Sequence, residues 1–270
     1  MTKFYPASAK PPLRGGDIKI SVVTVCFNSE ATIEGTLRSV AEQSHVDVEH
    51  IIVDGNSSDG TMAIVKRYRG GLARVVSEPD RGVWDAMNKG IALASGDVVG
   101  FLNADDVYAD VTALQSIADT FGAADVAACY ADLVYVDKKD ASRIVRYWKS
   151  NDYRPGLFRR GWMPAHPTFY VRRSVFKQYG GFDLQYRFQS DFDLTMRLLE
   201  VHRIKAIYIP HVLVRMRVGG MSNNSYINTL KGNIEAYRAC HKNGLAVTPL
   251  FILHKVFSRL PQFFARQVKR

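Results

Sequence analysis

Residues 18–27, IKISVVTVCF, form a continuous apolar run with few polar interruptions. A strand with one wet face alternates apolar and polar side chains. A run like this one fits a strand buried on both faces, as in sheets covered by helices on two sides. The next hundred residues keep that pattern. After Asn28-Ser29-Glu30, residues 31–43 (ATIEGTLRSVAEQ) have helical spacing through Ile33, Leu37 and Val40. Residues 48–53 (VEHIIV) read as a second strand, which ends in the dense turn signal DGNSSDGT, 54–61. A short helix is expected over Thr61–Tyr68, a third strand over Ala73–Val76, a helix over Val83–Ala94 and a fourth strand over Asp97–Leu102. Strand–helix alternation of this kind implies a doubly wound, mostly parallel sheet flanked by helices.

Each of the four strands ends in a polar cluster: Asn28, Asp54, Asp80-Arg81, and Asn103 to Asp106. Ligands of open α/β sheets bind outside the carboxyl ends of the strands. Turns are polar in any case, but four clusters at equivalent positions point to one crevice. The last cluster, in GFLNADDVYAD (100–110), sets two carboxylates side by side directly after a buried strand. One carboxylate suffices to cap the next turn. Two suit a hard divalent cation, Mg²⁺ or Mn²⁺, held by oxygen at Asp105 and Asp106. The turn DGNSSDGT carries no Walker lysine and no GxGxxG pattern, so dinucleotide and P-loop readings fail. Asp54 serves equally well as a turn former or as an acceptor for a base or ribose.

After residue 110 the pattern loosens. Helices are expected over Thr112–Phe121, Ser174–Tyr179, Asp191–Val201 and 226–243, with a terminal basic amphipathic helix over 249–268. Strands are expected over Val126–Val136, Ile144–Trp148, Lys205–Pro210 and Val212–Val218. The 270 residues suffice for one large α/β domain with a short appendage, or for two small domains. Three well-separated cysteines without metal-ligand spacing argue for a reducing compartment and against a disulfide framework. The chain carries a net charge of +10, unevenly placed: −4 over residues 1–150 and +14 over 151–270. A basic second half attracts phosphates, nucleic acid or an anionic membrane. Residues 1–17 lack the apolar core of a signal peptide and read as a flexible lead-in.

Four ordered stretches, VVTVCFNSEATIEGTLRSV, HIIVDGNSSDGT, EPDRGVWDAMNKGIALASGDVVGFLNADDVY and, more loosely, HPTFYVRRSVF through GGFD, SDFDLTMRL and GGMS, resemble the family 2 glycosyltransferases, in particular bacterial enzymes of exopolysaccharide or O-antigen assembly. The resemblance implies a GT-A fold, Rossmann-like, with residues 18–110 binding a nucleotide diphosphate sugar and 111–225 forming the acceptor side. It implies transfer of the sugar to an acceptor hydroxyl with inversion, the acceptor being a glycan or lipid-linked. Carried onto this chain, it places Asn28, Asp54, Asp80, Arg81 and Asn103 at the nucleotide and Asp105 at the metal, with Asp106 in support. The family's Asp-x-Asp is here Asn103-Ala104-Asp105, which accepts hydrogen bonds with one charge fewer.

An inverting displacement needs a base on the far face of the sugar to take the acceptor proton. Asp191 is the expected base, with Asp193 as second choice or structural support; Ser190-Asp191 alternatively caps the helix. His166 and Trp162 are expected to line the acceptor pocket, while a lone histidine is more often simply packed. The helical segment 226–270 ends in TPLFILHKVFSRLPQFFARQVKR, where Leu253, Val256, Phe257, Leu260 and Phe264 recur at helical spacing among basic residues. It either packs on the domain or lies on anionic lipid, and the second reading puts the protein in the cytoplasm on the inner face of the plasma membrane. Two rival functions remain: an inactive nucleotide-sugar-binding scaffold, and a basic nucleic-acid-binding protein. Acidic strand ends repel nucleic acid, and no binding motif for it is present, so no nucleic-acid partner is expected.

Overall fold

The computed structural model describes residues 17–45, 47–138, 140–219, 226–257 and 262. The opening run forms β1 (Ile20–Cys26), with all seven residues buried. It lies between β2 (Val48–Asp54) and β4 (Val98–Phe101), parallel to both, and β3 (Arg74–Ser77) extends the parallel set beyond β2. Burial on both faces follows from the layers. Val23 and Val25 pack with Ala86 and Met87 of α3 (Val83–Leu93). On the opposite face Ile20 and Val22 pack with Leu114 and Ile117 of α4 (Ala113–Thr120), and Cys26 packs with Ile33 and Leu37 of α1 (Ile33–Ala41) and Val65 of α2 (Thr61–Arg67).

Beyond β4 the sheet is mixed, which corrects the mostly parallel expectation. It continues through β5 (Val107–Tyr108), β6 (Ala128–Val136), β7 (Ile144–Trp148), β8 (Tyr170–Arg172) and β9 (Ala206–Arg217). The strand order is β3-β2-β1-β4-β8-β6-β9-β5, and β7 also pairs β6. The three-residue strand β8 runs antiparallel to both β4 and β6. A parallel neighbour requires a long crossover, usually helical. β8 is instead reached through the irregular stretch after β7, and so it can run the other way. Gly100 of β4 lies against the Tyr170 ring, where an added Cβ would sit 2.1 Å from it. Tyr170 in turn shares a 2.5 Å hydroxyl contact with Tyr108 of β5, a strand too short to show in the sequence pattern.

The two strands expected over 205–218 are one, β9, parallel to β6. Its register shifts between Ile209 and Val212, so Pro210 and His211 bulge out into solvent. The ring nitrogen of proline cannot donate to a ladder, and a bulge is where a sheet tolerates it. The helix expected over Asp191–Val201 is α6 (Ser190–Met196) followed by a π-helical turn, Arg197–Val201. α5 (Arg173–Tyr179) and α7 (Tyr226–Lys242) fall where expected.

The terminal helix is α8 (Leu250–Phe257), and it packs by a face other than the apolar stripe of Leu253, Val256 and Phe257. Phe251 and Lys255 are buried, while Leu253, Val256 and Phe257 are exposed. Lys255 is tolerated inside because Gln189 accepts its ammonium hydrogen bond and the charge lies 4.4 Å above the Phe192 ring. Leu260, Phe264, the lead-in up to residue 16 and most of GGMS lie outside the described residues. Among the described residues no helix is long and apolar enough to cross a membrane.

Candidate active site

Register aligns the carboxyl ends of the parallel strands: Cys26 stands beside Asp54, Asp54 beside Ser77, and Val23 beside Phe101. The loops after these strands therefore meet on one edge, in line with the sequence pattern. Asn28 turns the chain after β1 with φ of 49°, a left-handed conformation that asparagine tolerates. Its side-chain oxygen accepts the Ser58 N–H at 2.9 Å, and its own N–H donates to Ser57.

Asp54 is fully buried, and its carboxylate is already engaged. It accepts the N–H and hydroxyl of Ser57, the hydroxyl of Ser77 at 2.6 Å and the Cys26 thiol at 3.5 Å. The residue expected near the base is in this structure the brace of the turn. The open surface next to it comes from Phe27, 63% exposed, a residue that sequence reading missed. The signal was available, since an aromatic at the very end of a buried strand has no sheet neighbour to cover it. Asp80 accepts the Gly82 N–H at 2.8 Å and lies against Gly55, where a Cβ would come within 2.6 Å of its oxygen. Arg81 is exposed but tied to Asp85 at 2.9 Å, and the Arg81 hydrogen bonds hold the Asp85 carboxyl below its ordinary range.

The carboxylate pair after β4 divides its roles. Asp106 points inward and is fully buried. Its Oδ1 accepts the Arg217 N–H at 3.2 Å, while its backbone carbonyl accepts the Thr36 hydroxyl of α1 at 2.8 Å. Burial, and then the charge of Asp105, push its carboxyl well above the ordinary range. Asp105 is half-buried, and burial raises it too, with Arg217 pulling the other way. Asp106 Oδ2 and Asn103 Oδ1 are buried without a hydrogen-bond partner among the described residues.

Among the described residues no group of three or more His, Cys, Asp or Glu side chains forms a ready metal cage. A magnesium-like ion that also binds substrate phosphates needs only one or two carboxylates. Asp105, with two unpartnered oxygens beside it in the same turn, fits that requirement.

Across the edge, α6 presents Asp191 in its first turn, half-buried, with Oδ1 accepting the Phe192 N–H at 2.7 Å. Glu235 of α7 fixes this helix start by accepting the N–H groups of Arg187, Phe188 and Gln189. Asp193 is differently placed. It is buried, paired with Arg197 at 2.7 Å and bonded to Asn243 at 2.9 Å. That corrects its candidacy as a base and leaves the structural role. The Asn88 side chain joins the two halves, donating to the Phe182 carbonyl and accepting the Phe182 N–H.

The two acceptor-side candidates separate. Trp162 packs with Tyr130, Tyr153 and Phe158, and its indole N–H donates to Asn151 at 3.0 Å. His166 packs with Trp84, Phe101 and Phe182 and is close enough to Asp191 to feel its charge. A groove of about 340 Å³ lined by Leu37, Val40, His45 and Tyr68 lies elsewhere, beside the amino-terminal half of β2, and holds none of these residues.

Comparison with known proteins shows the family. The chain is 32% identical over 208 residues to a PGL/p-HBAD biosynthesis glycosyltransferase of Mycobacterium bovis, covering 75% of this chain and 78% of that protein. It is 30% identical over 230 residues to an uncharacterized glycosyltransferase of Mycobacterium tuberculosis, covering 83% and 84%. Among solved structures it resembles a mannosyltransferase from Pyrobaculum calidifontis in complex with GDP-Man and Mn²⁺, with a TM-score of 0.66 at 19% identity, over 97% of this chain and 76% of that one. It also resembles S. aureus TarS in complex with UDP-GlcNAc, with a TM-score of 0.64 at 19% identity, over 88% and 69%. At that identity these two likenesses speak for the fold. The model for glycosyl transferase family 2 matches residues 21–180, and to that family the chain belongs.

Proposed function

We propose that the chain is an inverting, metal-assisted glycosyltransferase that moves a sugar from a nucleotide diphosphate sugar to an acceptor hydroxyl. Family membership supports the general activity. The finer reading rests on one observation: half-buried Asp105 shares its turn with the unpartnered oxygens of Asp106 and Asn103, and that turn follows β4 at the strand-end edge where the turns carrying Asn28 and Asp80 also lie. The exposed Phe27 ring offers a stacking surface for a base, and Asp80 an acceptor for a ribose hydroxyl. Asp105 would hold Mg²⁺ or Mn²⁺ with Asp106 and Asn103 in support. The ion, when bound, offsets the charge that grows on the leaving diphosphate. Asp191 takes the proton of the acceptor hydroxyl as that oxygen bonds to the anomeric carbon and the bond to diphosphate breaks.

The proposed acceptor is a lipid-linked glycan of a bacterial surface polysaccharide, met by a protein that is cytoplasmic and peripheral on the inner face of the plasma membrane. Leu250, Leu253 and Phe257 of α8 are exposed, as are Arg159 and Arg160 in the turn that contacts that helix. An exposed apolar helix face on a basic protein suits anionic lipid.

The test is a panel of nucleotide diphosphate sugars with a lipid-linked acceptor extract and Mn²⁺. Wild type should release diphosphate nucleotide and invert the anomeric centre. Asp191→Asn should abolish transfer while leaving nucleotide affinity within about twofold. A large loss of nucleotide binding in that variant would sink the base assignment.

A further inference from the structure

His166 is buried, and neither ring nitrogen has a hydrogen-bond partner among the described residues. An imidazole has one N–H to donate and one nitrogen lone pair to accept. Leaving either unpaired in a buried site is destabilising, because the group has lost its water partner and gained none. Such a group in a native fold calls for an explanation.

The local backbone holds the ring in place without using it. His166 opens a 3-10 turn through Thr168 and is followed by Pro167. Thr168 does the anchoring: its hydroxyl contacts the carbonyls of Ala131 and Ala165 and accepts the Ala131 N–H at 3.0 Å. The side-chain neighbours of the ring are apolar or aromatic on three sides. Phe101 lies at 5.5 Å from β4, Phe182 at 5.4 Å and Trp84 of α3 at 6.0 Å between centroids. The charge that acts on the ring is that of Asp191. His166 therefore sits where the strand end carrying Asn103 and Asp105 meets the helix start carrying Asp191. Burial keeps the ring neutral, so it is both donor and acceptor.

We propose that His166 is a hydroxyl-binding residue of the transferase site, one of its unpaired nitrogens taking a sugar hydroxyl that lies between Asp105 and Asp191. The assignment rests on the transferase reading above. A hydroxyl can donate to the bare ring nitrogen or accept from the ring N–H, so it suits a neutral imidazole in either tautomer, whereas a phosphate oxygen only accepts and an ammonium only donates. The hydroxyl belongs either to the transferred sugar or to the acceptor, and kinetics separates the two.

The experiment compares wild type, His166→Leu and His166→Asn by thermal melting, nucleotide calorimetry and transfer kinetics. Replacing an unsatisfied buried polar ring with an apolar side chain removes its desolvation cost. His166→Leu should therefore melt no lower than wild type and bind the free nucleotide normally, yet lose tenfold or more in kcat/KM. His166→Asn should recover part of that loss. A raised KM for the nucleotide sugar, also seen in its slow hydrolysis without acceptor, places the hydroxyl on the donor. A raised acceptor KM alone places it on the acceptor.

Unchanged kinetic constants in His166→Leu overturn the assignment, as does a loss of activity that tracks a lowered melting temperature and is not relieved by asparagine. A wild type that binds no nucleotide sugar overturns the transferase reading itself, and the role of His166 with it.

Discussion

The carboxylate of Asp106 accepts the backbone N–H of Arg217 at 3.2 Å, which ties the loop after β4 to the end of β9, 111 residues further along the chain. The two adjacent aspartates of the sequence thus differ in kind: Asp106 is fully buried and built into the frame, while Asp105 is half-buried. Asp106→Asn keeps an oxygen for Arg217 and should hold stability within about 1 kcal/mol. Asp106→Ala leaves that N–H unpaired and should cost about 1–3 kcal/mol in urea unfolding. Equal losses in both variants would contradict this division of roles.

Asn88 should be needed for the joining of the two halves. Its amide makes both hydrogen bonds to the Phe182 backbone, at 2.9 and 2.8 Å. Asn88→Ala should lose about 1–3 kcal/mol of stability. Because Phe182 packs on His166, the variant should also raise the KM for the sugar substrate more than the affinity for free nucleotide falls. A variant with wild-type melting behaviour would refute the link.

Asp193 and Asp191, two residues apart, should separate cleanly. Removing one partner of a buried ion pair costs about 3–5 kcal/mol. Asp193→Ala should therefore unfold earlier in denaturant, with turnover per folded molecule largely kept. Asp191→Ala should keep the wild-type melting temperature and lose turnover. The opposite pattern would exchange the two roles.

His50 provides an acid-sensitive contribution to stability. Burial lowers its pKa to about 3 from 6.5. Below pH 6.5 the unfolded chain takes up a proton that the folded ring refuses. Stability from this group is thus complete above 6.5 and lost as pH falls toward about 3. The slope is at most about 1.4 kcal/mol per pH unit. His50→Gln should flatten the difference between unfolding free energies at about pH 7 and about pH 5. An unchanged difference would show that His50 is not the group responsible.

Much of this was legible in the sequence, for physical reasons that differ from residue to residue. The parallel core showed because β1, β2 and β4 are buried on both faces and therefore carry unbroken apolar runs. β5 and β8 did not show, since strands of two and three residues have no period. The gathering of Asn28, Asp80 and Asp105 on one edge followed from strand polarity alone. The duty of Asp54 did not, because a carboxylate that braces a turn and one that binds a ligand occur in the same DGNSSDGT. Asp193 and Arg197 stand four apart, the spacing of a helical ion pair, and that signal outweighs a pairing of Asp193 with the helix dipole. On α8 the apolar stripe was legible but the packed face was not, because that face carries a lysine, held inside by Gln189 and the Phe192 ring.

The central claim is that Asp105 helps the chain hold a nucleotide diphosphate through a divalent ion. The most direct measurement is calorimetric titration with UDP, GDP, dTDP and CDP, each with and without Mn²⁺, on wild type and Asp105→Ala. The account predicts that one nucleotide binds wild type more tightly with Mn²⁺, and that the variant, equally folded, loses this dependence. Binding that ignores the metal in wild type, or a metal dependence that survives in Asp105→Ala, would contradict it.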